Sequence, residues 1–139
     1  MKAFITIAAV AVLLVAAPGP CFALWGMATV NRERAKELGI EVRVAAAKPD
    51  QVRIEFEFKL EGELKKFDRV DLRLGDGDKP LVTATLKEDR SKEGRVVVSF
   101  TTDRTQLDKA RLRVYVPGGL GGTIYEVRVK EFVEPKNAR

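Results

Sequence analysis

A chain without histidine has to do its chemistry with carboxylates, cationic side chains, hydroxyls or a thiol. This sequence contains no His and one Cys, Cys21, so the commonest general base and the commonest transition-metal ligand are both missing. The nearest approach to a cation site is Asp76-Gly77-Asp78, where two carboxylates on a tight turn could offer oxygens to calcium. Asp-Gly is equally a favoured hairpin dipeptide, and no Glu follows at the spacing of a calcium loop. The expectation there is a turn, with no metal held by Asp76 or Asp78. Glu55 and Glu57 stand on one side of a strand, about 6.6 Å apart along the backbone, within the range of glycosidase carboxylate pairs. Any two successive outward positions have that spacing, and Arg53 and Lys59 beside them read as an alternating-charge solvated face. Gly118, Gly119, Gly121 and Gly122 suggest a phosphate-cradling loop, but no Lys-Ser/Thr pair opens a helix after them. They are expected to form an inter-strand loop.

The arrangement left to follow is basic. If residues 110 to 116 and 123 to 130 form a hairpin, pairing apolar with apolar side chains requires partner numbers with an odd sum, and the loop length selects 239. Leu112 then faces Val127 and Val114 faces Tyr125. On the opposite side Arg111 faces Arg128, Lys109 faces Lys130 and Arg113 faces Glu126. Like charges directly opposite each other destabilise a strand pair unless something acidic intervenes. Either a neighbouring strand such as the one bearing Glu55 and Glu57 supplies the acids, or Arg111, Arg113, Arg128 and Lys130 form an anion-binding face.

The elements that would position these residues begin after a leader. Lys2 precedes an apolar run from Ala3 to Ala17 that ends at Pro18-Gly19-Pro20, the pattern of a secretory signal peptide and too short for a membrane span of roughly 20 residues. Small residues at Cys21 and Ala23 place cleavage after Ala23. Lipidation of Cys21 would need Leu and small residues before it, where this chain has Pro-Gly-Pro. The mature chain then starts at Leu24 without a thiol, in a periplasmic or extracellular compartment, and must be stable through packing, with no cofactor. The formal net charge of +5 includes Lys2. The remaining excess lies in residues 104 to 139, where Arg104, Lys109, Arg111, Arg113, Arg128, Lys130, Lys136 and Arg139 outnumber Asp108, Glu126, Glu131 and Glu134.

Residues 24 to 39 read as an N-terminal arm or short helix, with Asn31 as its cap and Gly39 as its stop. From residue 40 the apolar period becomes two. Ile40, Val42 and Val44 begin the pattern, and Val52, Ile54, Phe56, Phe58 and Leu60 carry it most clearly. It continues through Val70 to Leu74, Val82 to Leu86, Val96 to Phe100, Leu112 to Val116 and Tyr125 to Val129. Turn signals separate the runs. One exception is Thr102 to Ala110, where Asp103 and Gln106 suggest a single helical turn carrying the chain between sheets. Seven alternating strands have seven apolar faces to hide, so the expectation is an all-β, seven-stranded antiparallel β-sandwich over residues 40 to 134, immunoglobulin-like in architecture, with a tail at 135 to 139. Over seven residues, Asp108, Ala110, Leu112 and Val114 resemble the corner before the sixth strand of immunoglobulin domains, with Leu and Val where that family has its Tyr and Cys.

This reading gives a non-catalytic exported domain that acts by protein-protein or surface interaction. The alternative is a ligand- or anion-binding module. No nucleic acid is expected, because aromatic and basic residues are not interleaved, and no hydrolase, because His, Cys and a Ser/Lys constellation are lacking. An exposed apolar strip or bare strand edge would favour a protein partner, a concave polar pocket a ligand, and a carboxylate pair at the base of a cleft an enzyme.

Overall fold

The structure is a computed structural model that describes residues 24–76 and 79–133. The leader, its cleavage point, Cys21, Gly77, Asp78 and the tail lie outside the described residues, as does the side chain of Asp76.

The fold is mostly β, in two sheets. Its elements are β1 (Leu24–Thr29), α1 (Arg32–Leu38), β2 (Ile40–Lys48), β3 (Gln51–Lys59), β4 (Arg69–Asp76), β5 (Lys79–Thr85), β6 (Arg95–Asp103), β7 (Ala110–Gly118), β8 (Gly121–Arg128) and α2 (Val129–Val133), with 3₁₀ turns at Gly62–Leu64 and Arg104–Lys109. One sheet has the order β1-β8-β7-β4-β5 and the other β2-β3-β6. The period-two apolar sets account for the core. Val52, Ile54, Phe56 and Phe58 of β3 are buried, and with Val96 and Val98 of β6 they join Val70, Leu112, Val114 and Val127 of the larger sheet in one cluster. Phe58 meets Phe67 edge-on at 5.0 Å. Full burial of each large side chain is worth about 1.5–3 kcal/mol.

Two segments depart from the sequence reading. Residues 24 to 29, expected as an arm or the lead-in to a helix, form an eighth strand that runs parallel to β8, with Leu24 opposite Gly121 and Thr29 opposite Glu126. The glycine loop explains why it fits. A Cβ on Gly121 would sit 2.0 Å from the Leu24 carbonyl oxygen, and one on Gly122 would lie 2.3 Å from the Val116 oxygen and 2.7 Å from Cζ3 of Trp25. The glycines are therefore a notch for β1 as well as a turn. Arg32–Leu38 forms α1, in which Asn31 Oδ1 accepts from the Arg34 N–H at 2.8 Å and Gly39 takes φ 74°.

The second departure is at the end of β8. Strand pairing was expected through residue 130, but pairing with β7 ends at Arg111–Arg128 and the chain turns into α2, with β7 itself preceded by the 3₁₀ turn at Arg104–Lys109. That turn carries the chain from β6 in the smaller sheet to β7 in the larger one. Asp103 precedes it without a side-chain capping bond.

Candidate functional site

The hairpin register is the one that apolar pairing requires. Leu112 faces Val127, Val114 faces Tyr125, Arg111 faces Arg128 and Arg113 faces Glu126. Because Leu112 and Val114 are buried in the core, Arg111, Arg113 and Tyr115 lie on the outer face of the five-stranded sheet. The β4 register extends each row by one strand, setting Arg73 opposite Arg111, Asp71 opposite Arg113 and Arg69 opposite Tyr115. One row is therefore Arg73, Arg111, Arg128. The next is Asp71, Arg113, Glu126, flanked by Thr85 on β5.

The acids that compensate this face come from its own sheet. Glu126 Oε2 lies 2.9 Å from Arg113 Nε and 3.6 Å from Arg111 Nη1, and Glu126 itself is buried. Asp71 accepts from Thr85 Oγ1 at 2.8 Å and from Arg69 Nε at 3.3 Å. Arg69 also stacks over the Tyr115 ring, 3.9 Å from its centroid. Glu55 and Glu57, considered as donors of the missing acids, sit on the smaller sheet instead. There Arg43 bridges Glu55 at 2.8 Å and Glu57 at 2.5 Å, while Arg95 and Lys92 reach Glu57 at 2.7 and 3.3 Å. The Arg43 hydrogen bond, helped by Arg95 and Lys92 against the cost of burial, holds the Glu57 carboxyl down at about 2. Two carboxylates pinned by three cations are an ion-pair network, the alternating-charge face read from the sequence.

Of the four basic residues singled out from the sequence, the structure brings Arg111, Arg113 and Arg128 onto one face. Lys130 lies past the strand on α2, and Lys109 lies in the 3₁₀ turn, so the expected Lys109–Lys130 pair does not form. Arg73 takes the place in the row that sequence reasoning missed. The signal was present in the alternation Arg69, Asp71, Arg73, but its use depended on knowing which strand β4 joins. Nε of Arg73 is buried and has no hydrogen-bond partner among the described residues. Among the described residues no group of three or more acidic or Cys side chains could hold a metal ion.

The same face changes character toward β1. Trp25 meets Tyr115 edge-on at 5.7 Å, and Met27, opposite the buried Ile124, is half-exposed. Leu24 and Leu120 are 75% and 87% exposed, the two most exposed large apolar side chains among the described residues. The Leu24 N–H donates to the Leu120 carbonyl at 3.3 Å, which places both at one end of the sheet. Behind them an open hollow of about 500 Å³ is lined by Leu24, Val116, Thr123, Tyr125 and Glu63 among others. The Tyr125 hydroxyl donates to Glu63, which Arg34 also grips at 2.7 and 2.8 Å. Burial, and then the bond to Glu63, pushes the Tyr125 hydroxyl up to about 12, while Tyr125 and Arg34 draw the Glu63 carboxyl below its usual range.

No helix among the described residues is long and apolar enough to cross a membrane. Comparison of the chain with protein-family models, curated proteins and solved structures found no match.

Proposed function

We propose that this chain is an exported, non-catalytic β-sandwich domain that holds an acidic protein partner on the outer face of its five-stranded sheet. One observation carries the reading: on that face the apolar strip of Trp25 and Met27 adjoins five arginines, Arg69, Arg73, Arg111, Arg113 and Arg128, with Asp68, Asp71 and Glu126 among the acids that pair with them. Apolar anchors supply most of an interface's affinity, and a net positive field selects an acidic surface and speeds encounter. The export part rests on the leader pattern. The immunoglobulin-like part is supported by strand order. Counting from β2, one sheet holds the first, second and fifth strands and the other the seventh, sixth, third and fourth. That is the immunoglobulin division with the fourth strand placed at the edge beside the third. The half-exposed Met27 and exposed Arg128 can be changed without disturbing the core. Capture from the native envelope or culture medium with wild type, Met27→Asp and Arg128→Glu tests the proposal. An acidic protein held by wild type and lost by both variants is expected. A captured protein that both variants retain, or one with a basic surface, refutes it.

A further inference from the structure

We propose that β1 is a pairing edge for a second copy of this chain, the two β1 strands running antiparallel about a twofold axis at Met27. The inference does not depend on the acidic partner proposed above, because the backbone of β1 carries it. The Leu24 N–H donates to the carbonyl of Leu120, just before β8, and the Val30 N–H to the carbonyl of Glu126, within it. In a strand the N–H and C=O of one residue point to the same side and successive residues alternate. The even-numbered residues of β1 therefore bond toward β8, and Trp25, Met27 and Thr29 turn their N–H and C=O groups to the open side. Among the described residues no strand lies there.

The two sheets have three other edges, and each is blunted. β2 carries Glu41, Arg43 and Lys48 and a register break between Ala46 and Lys48. β5 contains Pro80, which has no N–H, beside a register break at Leu74–Gly75. β6 is bridged on its far side by Asp89, whose N–H and C=O exchange bonds with Val97 at 2.8 and 2.9 Å. β1 has no charge, no proline and no bulge, the devices that keep strand edges apart.

The strand itself selects the occupant. Antiparallel pairing centred on Met27 sets Met27 opposite Met27 and Trp25 opposite Thr29 of the second copy, so all three outward residues exchange both backbone bonds. The contact is isologous and closes as a dimer. Charge agrees with it. The row Arg69, Tyr115, Ile124, Met27 continues into Met27, Ile124, Tyr115 and Arg69 of the second copy, and the row through Glu126 and Thr29 continues into Trp25 and Gly122. No charged side chain meets a like one across the axis. The two Arg69 positions stand seven strand spacings apart, about 34 Å, well beyond the screening length of about 8–10 Å in ordinary salt. A charged peptide strand would find no counter-charge on β1 itself, whereas a second neutral β1 needs none.

The test is sedimentation of the purified protein over a range of concentrations. A monomer–dimer equilibrium is expected, with a dissociation constant on the order of 100 µM, as suits an interface well below the usual size. It should hold or tighten as salt rises, since no ion pair spans the axis, where an acidic partner would be released. Thr29→Pro removes an outward N–H that bonds nothing among the described residues and should weaken the dimer about tenfold or more. Met27→Lys and Met27→Asp each put like charges face to face at the axis and should sediment as monomers, while an equimolar mixture of the two should dimerise. A wild type that stays monomeric up to about 1 mM, well above that dissociation constant, overturns the proposal. So does a dimer that Thr29→Pro leaves unchanged, or a mixture of the Met27 variants that stays monomeric. Thr29→Pro keeps Trp25, Met27 and Arg128, so loss of the dimer with capture of an acidic protein intact would separate this edge from the partner site. A monomeric wild type that still captures would leave the partner standing alone, and a dimer that captures nothing would leave the edge.

Discussion

Replacing Gly121 by Ala should lift the start of β1 off the sheet, and the size of the effect follows from the geometry. The added methyl would lie 2.0 Å from the Leu24 oxygen and 2.5 Å from its carbonyl carbon, more than 1 Å inside ordinary contact. The obstacle is backbone, so no rotamer change relieves it, and β1 itself has to move. The Leu24–Gly121 and Trp25–Gly122 positions leave the ladder, and Trp25 loses its edge-on contact with Tyr115. One or two net hydrogen bonds at about 0.5–1.5 kcal/mol each and an aromatic pair at about 0.5–1.5 kcal/mol are lost. Release of the ordered strand residues offsets part of this. The expected net loss is about 1–3 kcal/mol, or a fall in Tm of roughly 3–6 °C per kcal/mol for a domain of this size. Trp25 is the one tryptophan in the chain, so its fluorescence reports directly on β1. Gly121→Ala should shift the emission to the red and raise acrylamide quenching. Gly118→Ala, where an added Cβ meets nothing within 4 Å, should change neither. Quenching that matches wild type, with Tm unchanged, would refute the notch.

Further outcomes follow from the charged clusters and the leader. Glu57 has its carboxyl held at about 2 against an ordinary value near 4.3, so its ion pairs contribute stability that is complete above the ordinary value and is lost as pH falls toward 2. The worth is up to about 3 kcal/mol; Glu57→Gln should flatten that part of the acid stability curve, measured by urea melts between pH 2 and 6. Tyr125 is raised to about 12, so its contribution is complete below about 10, the ordinary tyrosine value, and is lost as pH rises through 12. Tyr125→Phe should remove that alkaline loss, and absorbance titration of the phenolate gives an independent reading. N-terminal sequencing of exported material should begin at Leu24; an acylated Cys21 or an intact Met1 would contradict the leader reading.

The sequence by itself determined what depends on near neighbours. Alternation fixed which side chains of β3 and β7 enter the core, because side chains on a strand point alternately to its two faces. The β7–β8 register was legible down to Arg111 opposite Arg128, because the two strands are joined by a short loop and an odd-sum pairing is the one that buries both apolar faces. Strand identity ran too far at Val129 and Lys130, since alternation continues in the sequence where the chain has already turned into α2. The tertiary structure decided every pairing between distant segments. β1 joins β8 across nearly the whole chain, and nothing local in Leu24–Thr29 states that a glycine notch about a hundred residues later will receive it. The meeting of β4 with β7 put Arg73 into the arginine row and Asp71 beside Arg113, and placed Glu55 and Glu57 on a different sheet from the hairpin they were thought to serve. Alternation gives each strand two faces but carries no information about which strand lies alongside, and the charge balance of a sheet face is a property of the neighbours.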